Sequence, residues 1–319
     1  MMKKIVLSVF LLISLNAITQ IDIKEDTSFT GWKYGGFATF NFNQVALVNW
    51  AAGGENALSA TAIFSGFLKK RNTNSYFETT LDLGYGWITT QNQPFRKNED
   101  KIDFNMKYGY KATQDKKLFY AALLNFRSQF APGFNFPDDS VVISRWLAPG
   151  YLTLAIGLDY QPVSYFSVFI SPVTGRALFV RDQNLADKGQ FGTTAAEFDE
   201  QGNKTKDGET LRFEFGAMLR ARFQKDIAKN INLLSTLQLF NNYTDTRVSN
   251  RKNIDINWET MINIKANKWL TTSIFTHIIY DDDIQLPTFQ TINGVRTEVG
   301  RGPKTQFKEV LGIGLSYKF

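Results

Sequence analysis

Along most of this chain, apolar and polar residues take turns one by one. Phe77, Thr79, Leu81, Leu83, Tyr85 and Trp87 share one parity, with Glu78, Thr80, Asp82, Gly84 and Gly86 on the other. Ile102, Phe104, Met106, Tyr108 and Tyr110 alternate in the same way with Asp103, Asn105, Lys107, Gly109 and Lys111. So do Phe213, Phe215, Ala217, Leu219, Ala221 and Phe223 with Arg212, Glu214, Gly216, Arg220 and Arg222, and Ile254, Ile256, Trp258, Ile262 and Ile264 with Asp255, Asn257, Glu259, Asn263 and Lys265. Side chains of a strand point alternately to its two faces, so each segment reads as a strand with one greasy and one charged face.

Extended to the whole chain, the pattern predicts twelve strands: 32–49, 58–70, 76–89, 101–112, 118–130, 151–161, 165–172, 211–224, 231–243, 253–266, 269–280 and 307–319. The first is the least regular. Phe40 and Phe42 share a parity that Val45 and Leu47 do not, which predicts a bulge near Asn43 or Gln44. The connections alternate short and long. Residues 71–75, 113–117, 162–164, 225–230 and 267–268 are short, whereas 90–100, 131–150, 173–210, 244–252 and 281–306 are long, and only the first, near 51–57, breaks the rule.

Alternation alone does not say which face is buried, and a secreted soluble β-sandwich would turn the same apolar face inward. Three features favour lipid. The segments reach the ~9–11 residues that cross a bilayer when tilted. Long and short connections alternate as in barrels with short periplasmic turns and long extracellular loops. The chain ends Leu311, Ile313, Leu315, Tyr317, Phe319, and the run Leu315, Tyr317, Phe319 resembles the C-terminal signal by which outer-membrane barrels reach their assembly machinery. The expected fold is therefore all-β: a closed antiparallel transmembrane β-barrel of about 12 strands, in contact with outer-membrane lipid. Trp87, Tyr160, Trp258, Tyr280 and Tyr317 are candidates for its interfacial aromatic girdles.

The N-terminus fits this location. Lys3 and Lys4 precede an apolar run from Ile5 to Leu15, and small or polar residues follow at Asn16, Ala17 and Thr19. That order describes a cleaved secretory signal over residues 1–20. A short periplasmic segment, 21–31, would lead into one barrel domain, 32–319, in a Gram-negative envelope. Losing Lys3 and Lys4 takes the formal charge from +6 to +4, and no basic block or nucleic-acid motif is present. The chain has no Cys, hence no disulfide framework.

On the predicted register the lumen carries Glu78, Asp82, Asp103, Lys107, Lys111, Arg127, Asp159, Arg212, Glu214, Arg220, Arg222, Asp255, Glu259, Lys265 and Lys308. Two readings stand: a polar passage that orders charged solutes, or a lumen packed with ion pairs. Inward Gly84, Gly86, Gly109, Gly157, Gly216, Gly312 and Gly314 leave room in either case. Arg212, Arg220 and Arg222 form the best candidate for an anionic group, although pairing with carboxylates of other strands is the favoured expectation. His277, with Ser273 on the same face, is the only basis for a lipid hydrolase. One His and no Cys make a transition-metal site improbable, and the acidic tip Asp281, Asp282, Asp283 reads as a solvated loop. No cofactor is expected.

The stretch Asn41-Phe42-Asn43-Gln44, followed by Asn49-Trp50-Ala51-Ala52-Gly53-Gly54-Glu55-Asn56, resembles the opening signature of an uncharacterised outer-membrane barrel family of Bacteroidota, and Leu81-Asp82-Leu83-Gly84-Tyr85-Gly86 is similar to its third-strand pattern. The resemblance implies the location and fold and carries no activity with it. From the residues themselves, Gly53-Gly54 suits a tight turn, and Asn41, Asn43, Asn49 and Glu55 could form a hydrogen-bonded plug, a docking point, or simply a structural turn. The leading expectation is a non-enzymatic barrel, either a small-solute channel or an envelope scaffold whose 173–210 loop meets other envelope proteins.

Overall fold

The computed structural model describes residues 30–47, 55–91, 93–115, 117–136, 138–245, 247–267, 270–292 and 294–318. Twelve antiparallel strands close into one barrel in simple sequence order, each paired with its neighbours. They are β1 (Gly31–Val45), β2 (Ala57–Arg71), β3 (Ser75–Thr90), β4 (Gln93–Lys111), β5 (Leu118–Ser128) and β6 (Gly150–Val163). The second half is β7 (Phe166–Phe179), β8 (Leu211–Ala228), β9 (Ile231–Asn242), β10 (Asp255–Lys265), β11 (Leu270–Tyr280) and β12 (Gln306–Lys318). No helix among the described residues is long and apolar enough to cross a membrane.

The apolar parity faces outward. Ile156 is 67% exposed, Leu311 63% and Phe213 72%, whereas Asp103, Asp159 and Glu214 on the opposite parity are buried. A fold that hides carboxylates and displays isoleucine and phenylalanine is inverted for water and suited to hydrocarbon, where closure leaves no unpaired edge. Exposed aromatic residues stand near the short-turn end, at Trp32, Tyr34, Tyr108, Tyr110, Tyr120, Tyr160 and Tyr317, and also toward the long loops, at Tyr85, Phe95, Phe213, Phe215 and Tyr243. Girdles belong at both levels.

Three sequence expectations change. The first strand has no bulge at Asn43 or Gln44: β1 pairs with β2 in unbroken register from Gly31–Arg71 to Val45–Ala57. The strand simply ends at Val45, so the parity of Leu47 is that of a loop residue. Residues 93–100 are strand and not loop: β4 starts at Gln93, paired with Thr90 across a tight connection, and this stretch carries polar residues on both parities around Phe95. Alternation is silent where polar residues take both parities. β7 likewise continues past Pro172 to Phe179. The register shifts between Ile170 and Val173 toward β6 and between Ser171 and Thr174 toward β8, so Pro172, which lacks an N–H, sits in an irregularity where the ladder needs no donor. The Ser171 hydroxyl donates to the Ile156 and Val173 carbonyls at 2.8 Å each and fixes this kink.

The barrel closes through β1 and β12, whose described register runs only from Phe37–Lys318 to Asn41–Gly314. Asn41 is buried there against Gly312 and Gly314, and a side chain at Gly314 would run into its amide and into the Phe40 carbonyl. The 1–20 leader, Asn49, Trp50, Gly53, Gly54 and Phe319 lie outside the described residues. Asn56 is described: its side-chain carbonyl accepts from the Leu47 N–H at 2.5 Å, and its amide donates to Gln91 at 3.3 Å. Glu55 is exposed beside it. Asn43 pairs with Ser59 and is also exposed.

The long connections fold on themselves. Hairpins form at Gly133–Asn135 with Asp138–Ser144 and at Gln285–Ile292 with Val295–Pro303. The stretch 180–210 makes a small cap around a short helix, α1 (Gln183–Asp187). Val180, Leu185 and Ala186 pack with Ala148 and Leu178, and Tyr151 and Phe191 cover them. Asp182 caps α1 by accepting from the Leu185 N–H at 3.0 Å.

Candidate functional site

The charged parity of the strands converges in the lumen, in three layers from the long-loop end to the short-turn end. The uppermost centres on Arg176, which donates to Glu214 and, at 2.8 Å, to Asp255. Its guanidinium also lies 4.3 Å from the Phe240 ring centre. Arg212 bonds Glu214 and Asp283, and Arg247 donates to Asp283 at 2.7 Å. The acidic tip is thereby an arginine anchor holding two outer loops together, and not a freely solvated tip. Among the described residues no cluster of His, Cys, Asp and Glu is arranged to hold a metal ion.

The middle layer crosses the barrel. Lys101 on β4 donates to Glu259 on β10 at 2.7 Å, and five strands lie between β4 and β10 on either side. These are opposite walls. Asp103 accepts from Arg127 at 3.1 Å, Asn125 at 2.7 Å and Asn105 at 2.9 Å, and Lys101 lies 3.9 Å away. Asn105 in turn accepts from Arg220 on β8 at 2.5 Å, and Lys308 of β12 donates to Glu99 of β4 at 2.6 Å. Asp82 is held by the Ser65 hydroxyl at 2.5 Å. His277 contacts Asn257 at 3.1 Å and lies 3.7 Å from Glu259, while the Ser273 hydroxyl donates to Asn263 at 2.7 Å. Each of the two is engaged elsewhere, and neither hydrogen-bonds the other.

The lowest layer is built on Asp159, which is fully buried. The Tyr76 hydroxyl, Gln161 and Lys107, the last at 3.0 Å, all donate to it. Tyr76 fits because Gly109 on the adjacent strand has no side chain: a Cβ there would overlap its ring. Lys69 and Arg71 both hold Glu78 at 3.7 Å. Beside these layers Ala121, Leu123, Ala155, Phe169, Met218 and Phe240 form a dry inward cluster that fills the β5–β9 side of the lumen. The space left by the inward glycines is therefore taken up by neighbouring side chains, or by close-packed backbone at Gly157 and Gly216.

A family profile described as Protein of unknown function (DUF3078) matches residues 42–134. Among solved structures the chain resembles the COG4313 outer membrane channel from Pseudomonas putida F1, at 12% identity and TM-score 0.38, covering 91% of this chain and 96% of that one. It also resembles the translocator domain of autotransporter NalP from Neisseria meningitidis, at 10% identity and TM-score 0.35, covering 92% and 90%. For the NanC porin the values are 10%, 0.34, 89% and 100%. No curated protein sequence matches the chain.

The sequence register places all of Glu78, Asp82, Asp103, Lys107, Arg127, Asp159, Arg212, Glu214, Arg220, Arg222, Asp255 and Glu259 along these layers. Pairing with carboxylates, expected of all three arginines of β8, holds for Arg212 only. Arg220 has Asn105 as its partner, and Arg222 donates to Gln224 at 3.0 Å. Sequence reasoning missed Tyr76, Lys69, Lys101 and Arg176. The first three share an inward parity with charged neighbours, and Arg176 was hidden in a stretch read as loop.

The outer cap has its own charge lock. The Asp187 carboxylate accepts from Lys204 at 2.9 Å, from Gln183 at 2.7 Å and from the Gly208 N–H at 2.8 Å. These hydrogen bonds hold its pKa down at about 2. A carboxyl lowered on folding stabilises the fold above its unfolded value of ~3.9 and loses that contribution as pH falls through its folded value. Protease protection of residues 183–208 should persist down to about pH 4 and fall away between there and about pH 2. Asp187→Asn should remove this pH dependence, as limited proteolysis at stepped pH will read out.

Proposed function

We propose that this chain is an outer-membrane barrel with a sealed lumen, an envelope scaffold rather than a conduit or a lipid enzyme. One observation carries the reading: the 2.7 Å ion pair between Lys101 and Glu259 joins opposite walls at mid-height. The dry cluster around Phe169 and Phe240 fills one side of the lumen. At that height opposite charges meet on the axis, with no ring of one sign to draw ions through. The outer-membrane location is supported by the leader-like N-terminus, the apolar outer wall and the terminal Leu315–Tyr317 parity. On this reading the short turns face the periplasm and the long loops face outward.

A scaffold needs a fixed display surface, and the 180–210 cap offers one: its apolar residues pack on Ala148 and Leu178 at the barrel's end, and Phe198 is exposed where Glu197–Phe198 pairs with Lys204–Lys206. Envelope proteins are the partners that this face would meet. A hydrolase at His277 gains no support, because the imidazole lies inside the wall, away from lipid, with no serine bonded to it. Purified protein in planar bilayers should insert without producing discrete conductance steps in concentrated salt. Regular steps from the unmodified protein would overturn the sealed-lumen reading.

A further inference from the structure

Between the Lys101–Glu259 layer and the Asp159 layer the lumen holds a pocket of about 50 Å³. Lys69, Lys107, Arg220 and Arg222 line it, with Glu78, Asn105 and Phe169. By the same measure of volume a water occupies ~10–15 Å³, so the space suits a few waters or one small oxyanion. Its lining carries four cations and one carboxylate, Glu78. Glu78 is already held by Lys69 and Arg71, and Asp159 by Lys107, Tyr76 and Gln161. Asp103, the carboxylate of the layer above, is occupied by Arg127 and two asparagines. Among the described residues no carboxylate comes within ion-pair distance of Arg220 or Arg222, whose hydrogen-bond partners are the neutral Asn105 and Gln224.

Two guanidiniums kept from bulk water on neutral partners are an unusual arrangement, since partly buried charge is ordinarily matched by opposite charge. We infer that this pocket is a binding site for one oxyanion, a phosphate group, received by Arg220 and Arg222 with Lys69 beside them. Guanidinium forks match the paired oxygens of such groups, and each charge-assisted bond formed there is stronger than its neutral counterpart. Lys107 and Lys69 remain on their own carboxylates and add field rather than direct contact.

The same chemistry could arrive as a free anion or as the headgroup of a lipid. Calorimetric titration of the full chain in detergent, first with inorganic phosphate and then with a water-soluble short-chain phosphatidic acid, tests the site and separates these sources. At least one probe should bind, and Arg222→Gln and Arg220→Gln should each weaken it about tenfold. Lys206→Gln on the outer cap should leave binding unchanged. Phosphate binding that depends on the arginines assigns a free anion, and binding of phosphatidic acid alone, equally dependent, assigns a headgroup. Binding of neither probe, or binding indifferent to both arginine substitutions in variants that still resist unfolding in dodecyl sulfate on a gel, would overturn the inference. Titration does not depend on conductance, so the result stands apart from the bilayer recording.

Discussion

Asp103→Ala should cost about 3–5 kcal/mol of stability, the penalty for stranding buried charge after one partner of a pair is removed. The effect is large because Asp103 is a junction: Arg127, Asn125 and Asn105 all donate to it, and Lys101 stands 3.9 Å away. Without the carboxylate, Arg127 and Lys101, side by side on the paired strands β4 and β5, are left with only Glu259 to share. Urea unfolding in detergent, followed by tryptophan emission, reads the loss as a shift of midpoint at unchanged slope. Asp103→Asn keeps the shape and some of the hydrogen bonds, and should fall between Ala and the unmodified protein. If Asp103→Ala unfolds at the same denaturant concentration as the unmodified protein, the middle layer contributes nothing and the lumen is not held as described.

The second large effect lies on the other side of the same wall. Ile156→Arg, halfway along β6 and 67% exposed, should cost about 2–4 kcal/mol in a bilayer, the penalty for arginine facing lipid at the midplane. The same change in a water-facing strand would cost almost nothing, since exposed substitutions are usually within ±0.5 kcal/mol. Ile156→Leu should be silent. Folding yield into vesicles against urea measures both. An arginine tolerated as well as leucine would show that the outer face meets water.

Most of the barrel was readable as alternation. Strands whose outer face meets lipid and whose inner face meets charge show period two clearly, and for β2, β3, β5, β9, β11 and β12 the expected spans lie within a few residues of those found. The errors fall where that contrast disappears. Gln93–Asp100 carries polar residues on both parities, so it looks like a loop. Residues 173–179 follow a proline and a register shift, which flips the parity and hides Arg176 from a count of inward charges. For the candidate site, parity could say that Arg220 and Arg222 point inward. It could not say that the carboxylates around them were already taken, because this depends on which strands face each other across the lumen. Lys101 and Glu259 are 158 residues apart in sequence, and only closure of the sheet makes them neighbours.

The short register between β1 and β12 gives the wall a preferred line of weakness. On its other edge β1 is stitched to β2 along its full length, whereas toward β12 the described ladder runs only from Phe37–Lys318 to Asn41–Gly314. Local opening follows the stretches with the fewest backbone hydrogen bonds to break. Thermal breathing of the cylinder is therefore concentrated where its two ends meet, and that joint is the hinge about which the wall would part.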